Sequence, residues 1–188
     1  MRQEEARFLV VGLGNVGDKY CGTRHNVGFG VIGKLAKLLD VSFSTQKKLL
    51  SEIAVCQGFI LAKPQTYMNR SGLALAKVRD FYKVSNEKII VVCDDFNLKL
   101  GKIRIRFDGN SGGHNGLDSV MEQIGGNFWR VRIGIGEPVG RRADVFVLEK
   151  FLPEERRIIN LSIDRVASYL LNLHSRELKN ESINVGGC

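Results

Sequence analysis

The stretch FLVVGLGNVG, residues 8–17, runs a strand-length apolar segment directly into a glycine turn. An uninterrupted apolar run of this length reads as a buried strand. Residues 88–93, rich in Ile and Val, repeat the pattern and end in Asp94-Asp95. Helical periodicity lies between them: Phe29, Ile32, Leu35, Ala36 and Leu39 recur at helical spacing over about 26–39. Further helices are expected at Ser71–Tyr82, with a serine near its start, at about 115–124, and from Pro153 to about Leu173. Residues 52–56 and 59–62 flank Gln57-Gly58 as a two-residue hairpin, and 102–107 and 129–135 read as strands. Strands and helices that interleave, with one hairpin, imply an α/β fold. The expected form is a single domain over 1–188, a mixed twisted sheet sandwiched between helices in three layers. The tail from about residue 177 is expected to be loosely held.

A chain of 188 residues can bury a sizeable core without disulfides or metals. Its longest apolar runs are strand-length, far below a membrane span. The start, MRQEEARF, has no apolar h-region and carries two acids, so neither a signal nor a transit peptide is expected. Four scattered cysteines, Cys21, Cys56, Cys93 and Cys188, form no C-x-x-C pair, which argues against zinc and disulfides and suits a reducing cytoplasm. The formal charge of +8 points to a polyanionic partner, nucleic acid most obviously.

Gly12, Gly14 and Gly17 reproduce the G-x-G-x-x-G spacing of a dinucleotide fingerprint. That fingerprint needs a helix beginning at its glycines, because the helix N-terminus holds the pyrophosphate. Here Gly17 is followed by the polar stretch DKYCGTRHN, and Asp40 precedes the next segment rather than ending a second strand. A turn whose backbone must pass closely explains the glycines but leaves Asn15 and TRHN without a role.

Of the three histidines, His174 ends the last helix and is expected at the surface. His25 falls just before a helix, whose positive end favours the neutral imidazole of a general base. Asp94 closes an apolar strand, where open α/β sheets place their sites, and could bond the second ring nitrogen of His25. Asp94-Asp95 could instead hold a metal. GNSGGHNG, residues 109–116, permits three readings. Its N–H groups could meet an anion or a developing oxyanion. It is similar to the G-D-S-G-G around a nucleophilic serine, with His25, Asp94 and Ser111 in a triad order. Or it is a glycine loop with Asn115 as N-cap. Lys102, Arg104 and Arg106 share one strand face opposite Ile103, Ile105 and Phe107, and Arg130 and Arg132 alternate with Val131, Ile133 and Ile135. Such rows suit a phosphate backbone. Aromatic residues do not interleave with them, so stacking on unpaired bases is not expected.

Together VVGLGNVG with Tyr20 and TRHNVGF, KPQTYMNRSG, IIVVCDDFNL, GNSGGHNGL and FWRVRIGIG resemble the bacterial-type peptidyl-tRNA hydrolases along nearly the whole chain. The resemblance implies cleavage of the ester joining peptide to tRNA, by a monomer that needs no metal or organic cofactor and has a mixed sheet between helices. It implies that His25 activates water and that Asp94 orients it. Asn15, Asn69 and Asn115 would line the cleft, bind the peptide backbone and help place the water and the reacting carbonyl. Tyr20, Met68, Gly112 and His114 match further cleft residues, and Arg104, Arg106 and Arg132 match tRNA-binding positions. The chain departs from the family's usual N-P-G at Asn15-Val16-Gly17, has Asn97, Leu98 and Lys99 where an acid and L-P are usual, and has Cys93 where a histidine is often found. None of these departures removes a catalytic group. Two alternatives stand beside the esterase: a non-catalytic RNA-binding relative, and a serine hydrolase using Ser111.

Overall fold

The computed structural model describes residues 7–56, 58–174 and 177–185; Gln57 of the expected hairpin turn, the side chain of His174 and residues 1–6 and 186–188 lie outside the described residues. The apolar runs become strands β1 (Phe8–Gly12) and β5 (Ile89–Asp95). The hairpin is β3 (Ser51–Cys56) against β4 (Phe59–Pro64), preceded by a short strand β2 (Ser44–Gln46). The alternating basic segments are β6 (Lys102–Arg106) and β7 (Trp129–Gly134). A last strand, β8 (Glu181–Asn184), pairs antiparallel with β6. Residues 181–184 are therefore not the loosely held tail that the sequence suggests. Ile183 packs against the core, and the β6 edge supplies the hydrogen bonds that a four-residue segment cannot make alone.

The eight strands form one sheet in the order β2-β3-β4-β1-β5-β7-β6-β8. The central run β4-β1-β5-β7 is parallel, and both flanks are antiparallel. Helices cover both faces. On one side α1 (Val27–Leu38) and α5 (Pro153–Leu171) bury Val10, Leu61, Val92 and Ile133. On the other, α2 (Ser71–Tyr82) and α3 (Asn115–Ile124) bury Leu9, Val11, Ile60 and Val91. Parallel strands covered on both faces need apolar side chains in both directions, which is why FLVV and IIVVC carry no polar alternation. A four-residue helix, α4 (Ala143–Phe146), follows β7. No helix among the described residues is long and apolar enough to cross a membrane.

The opening glycines serve close approach, in agreement with a passing-backbone turn and against a dinucleotide loop. A Cβ at Gly12 would lie 2.4 Å from the carbonyl oxygen of Gly28, so α1 packs its backbone onto the end of β1. One at Gly14 would meet the Phe29 ring at 2.7 Å. Two 3-10 turns, Asp18–Tyr20 and Arg24–Asn26, stand between this loop and α1. No helix N-terminus is therefore offered at the glycines.

Candidate active site

The carboxyl ends of β1 and β5 converge with the entrances to α1 and α3. Alternation along β5 sends Val92 and then Asp94 towards the α1 face, where the 3-10 turn ahead of α1 presents His25. His25 Nδ1 lies 2.8 Å from Asp94 Oδ1. His114, at the end of the glycine loop, places Nε2 3.0 Å from the same oxygen. All three side chains are buried, Asp94 to 1% exposure and each histidine to 7%. The network assigns the protons. His114 Nδ1 accepts the backbone N–H groups of Gly116 at 3.0 Å and Leu117 at 3.3 Å, so its own proton sits on Nε2 and is donated to Asp94. His114, rather than Asn115, thus caps α3. His25 donates from Nδ1, which leaves the Nε2 lone pair free; that nitrogen has no protein partner among the described residues. Burial by itself would raise the Asp94 carboxyl, but the two imidazoles outweigh it by charge and hydrogen bond. They hold Asp94 well below the usual carboxylate range.

By residue type, His25, Asp94 and His114 could take a cation, since their ligand atoms lie within 4.8 Å of one another. The hydrogen bonds oppose this. Freeing the His114 Nε2 lone pair for a metal would move its proton to Nδ1, against two N–H donors that need an acceptor there. The arrangement is a carboxylate between two donors.

Asn15 is clasped by Asn26. The Asn15 N–H donates to Asn26 Oδ1 and Asn26 Nδ2 donates to the Asn15 carbonyl, both at 2.9 Å. The Asn15 side chain then accepts the buried Met68 N–H at 2.9 Å, tying the first loop to the one that enters α2. Met68 in turn packs over α3, where a Cβ at Gly116 would come 2.5 Å from its sulfur. Asn69 and Asn115, the residues flanking that contact, are both exposed. A cavity of about 720 Å³ opens on the other side of the clasp, between α1 and α5; Asn15, Thr23 and Asn26 line it, whereas His25 and Asp94 do not.

The profile of the family described as Peptidyl-tRNA hydrolase matches residues 9–185. The chain belongs to the peptidyl-tRNA hydrolase family. It is 42% identical to the peptidyl-tRNA hydrolase of Rickettsia canadensis, over 93% of this chain and 98% of that one. It is 45% identical to that of Caldanaerobacter subterraneus, over 88% and 92%. Among solved structures, peptidyl-tRNA hydrolase from Acinetobacter baumannii superposes with a TM-score of 0.85 at 35% identity, covering 92% of this chain and 91% of that one.

The residues that match the peptidyl-tRNA hydrolase motifs fall into two groups. His25, Asp94, His114, Asn15 and Met68 are joined by the contacts above. Gly112 on the glycine loop, Asn69 in the 3-10 turn ahead of α2 and Asn115 at the first position of α3 are exposed beside them, and Tyr20 is half-buried, its carbonyl accepting both the N–H and the hydroxyl of Thr23. Ser111 does not enter a triad. Its hydroxyl accepts the Gly113 N–H at 3.2 Å and is bonded to neither histidine.

The basic rows separate. Arg104 and Arg106 of β6 face Arg132 and Arg130 of β7 directly across the ladder. Opposed like charges repel, and three of the four guanidinium groups make hydrogen bonds within the protein, although Nε and Nη2 of Arg130 have no partner among the described residues. Arg130 is wholly buried, bonding the carbonyls of Phe107, Gly126 and Phe128, so it is not the solvent-facing residue that alternation suggests. Arg132 is also buried, bound to Asp95 Oδ2 at 3.2 Å, to the Ser111 carbonyl at 3.2 Å and to the Asn110 carbonyl. Arg106 binds the Glu181 carbonyl and Ser182 of β8. Arg104, half-exposed, has no such partner among the described residues.

Sequence reasoning missed several supports. Asn26 lay inside the quoted TRHN without a role. Asp95 passed as the second half of a metal-like pair, whereas it accepts Arg132 and the Asn97 N–H. Asn97, counted as a departure, donates to the Gly112 carbonyl at 3.2 Å and helps hold the glycine loop. These partners are distant in sequence and leave no local pattern.

Proposed function

We propose that this chain hydrolyses the ester between a peptide and tRNA with His25 as general base and Asp94 as its orienting carboxylate. The observation that carries the reading is the 2.8 Å bond from His25 Nδ1 to a buried carboxylate, which leaves Nε2 free to take a proton from water. Asp94 stabilises the imidazolium that forms. The activated water attacks the ester carbonyl, and the tRNA ribose oxygen leaves with a proton returned by the imidazolium. An ester is easier to cleave than an amide, so no covalent nucleophile is required. Neutral Asn15, Asn69 and Asn115 offer donors and acceptors that suit a peptide backbone and a developing oxyanion. Arg104, half-exposed on β6, meets substrate phosphate. The protein acts as a monomer in the cytoplasm; the free thiols of Cys21, Cys56 and Cys93 among the described residues suit that reducing compartment.

The test is turnover of N-blocked and unblocked aminoacyl-tRNA by wild type and His25→Ala. Wild type is expected to prefer the blocked substrate, and His25→Ala to bind tRNA normally with turnover abolished. Unchanged turnover in that variant sinks the mechanism.

A further inference from the structure

Arg24 is the least expected side chain in the interior, a cation at 1% exposure immediately before the catalytic histidine. Its guanidinium lies 4.3 Å from the ring centroid of Phe146 and 4.8 Å from that of Phe151. Nη2 donates to Glu155 Oε2 at 2.7 Å and Nη1 to the Ile135 carbonyl at 3.3 Å. Glu155, in the first turn of α5, also accepts the Leu152 N–H at 2.7 Å. The backbone is pinned at the same place: the Arg24 N–H donates to the Glu149 carbonyl at 2.9 Å and the His25 N–H to that of Val147 at 2.8 Å.

Stability alone does not call for this residue. A buried ion pair is often replaced by apolar side chains of similar volume at little or no cost. Here Nε has no partner among the described residues, which makes the guanidinium a less favourable filling for an aromatic cage than a methionine. An apolar side chain cannot, however, join separate elements at fixed hydrogen-bond distances. Ile135, which Arg24 grips by its carbonyl, donates its own N–H to the carbonyl of Asp95 at 3.2 Å. Arg24 is therefore linked to the two halves of the catalytic pair. It adjoins His25 along the chain, and it reaches the residue after Asp94 through one residue, Ile135, just past the end of β7.

We infer that Arg24, anchored by Glu155, is a positioning residue that sets the distance and angle between His25 and Asp94. This rests on His25 being the base. The pair draws its imidazole and its carboxylate from different elements, and a displacement near 1 Å at such a site costs roughly 10²-fold in rate. The residue acts through His25 and touches no substrate.

The experiment compares Arg24→Met, Arg24→Lys and Glu155→Gln with wild type and His25→Ala. Arg24→Met keeps the contact with Phe146 and Phe151 and drops both side-chain hydrogen bonds. It is expected to melt close to wild type, lose roughly 10²-fold in kcat and leave KM nearly unchanged. The acid limb of its kcat/KM profile moves to lower pH, because an imidazolium held less well by Asp94 forms less readily. The downfield proton signal of His25 Nδ1–H weakens or moves in parallel. Arg24→Lys and Glu155→Gln, which each keep part of the linkage, show the same changes at smaller amplitude, and they carry the test should Arg24→Met not fold. Variants that lower the melting temperature with wild-type kcat, pH profile and Nδ1–H signal overturn the inference and reduce Arg24 to packing. Retained turnover in His25→Ala removes the assignment of the base instead, whatever the Arg24 variants do.

Discussion

Asp94 concentrates the chemistry of the site on one oxygen. Oδ1 accepts both imidazole N–H groups, while Oδ2 has no partner among the described residues. Replacing Asp94 by Asn puts an amide where a carboxylate holds the His25 tautomer, and kcat is expected to fall on the order of 10³–10⁴-fold. The pH dependence of stability follows from the direction of the shift. Because the folded carboxyl is held below its unfolded value, its contribution is fully present above the ordinary carboxylate range, about pH 3.9. It is lost as pH falls from there through the depressed folded value. Urea unfolding at a series of acid pH values should therefore show a steeper loss for wild type than for Asp94→Asn. Asn15 allows a separation of support from binding. Asn15→Asp keeps an oxygen for the Met68 N–H but removes the amide donor, so the melting temperature should hold while KM for a blocked substrate rises. Asn15→Ala should lose about 1–3 kcal/mol as well, through the unpaired Met68 N–H, measured by chemical denaturation.

At the scale of elements, the cleft depends on how closely α2 meets α3. A Cβ at Gly72 would lie 1.9 Å from the Ser119 carbonyl oxygen, and the Gly72 N–H donates to Ser119 Oγ at 3.0 Å. Asn69 lies in the turn that leads directly into α2, and Asn115 is the first residue of α3. Gly72→Ala should therefore force the helices apart at a cost of about 1–3 kcal/mol and reduce kcat/KM together with stability. Thermal unfolding and turnover measured on the same preparation check this, and wild-type values for both would show that the helices tolerate the methyl. The bounds of α2 were legible from its helical period, with Ser71 as its first residue, although the Ser71 hydroxyl caps nothing. The reason for Gly72 was not, since its partner lies 47 residues away.

Across the whole molecule, helices α1 and α5 cover one sheet face to the β6 end, whereas the opposite face leaves β6 and β7 with arginines. The charge of +8 is thus partly spent inside the protein. Arg104→Ala should leave the melting temperature unchanged and reduce the slope of log K against log salt for tRNA by about 1. Arg132→Ala should instead destabilise by roughly 3–5 kcal/mol, because Asp95 is left buried and unpaired. Binding isotherms at several salt concentrations, beside denaturation curves, separate the two. A full salt-slope loss in Arg132→Ala with intact stability would contradict the bracing role.

Local pattern carried the architecture: double-faced apolar strands, helical periods and a single hairpin were enough for a mixed sheet between helices, and motif spacing was enough for the family and for expecting the contact between His25 and Asp94. Those features repeat at periods of two to four residues and are visible in any short window. The short edge strands β2 and β8 were not, because their pairing energy comes from a neighbour rather than from their own residues. Only the tertiary structure decided that His114 shares Asp94 with His25, that Arg132 turns inward onto Asp95, and that Arg24, next to His25 in the chain, pairs with Glu155. Each of these is a hydrogen bond or ion pair between segments separated by 20 to 131 residues. A buried charge is set by which distant carbonyl or carboxylate comes within 3 Å, and no property of the sequence near it encodes that distance.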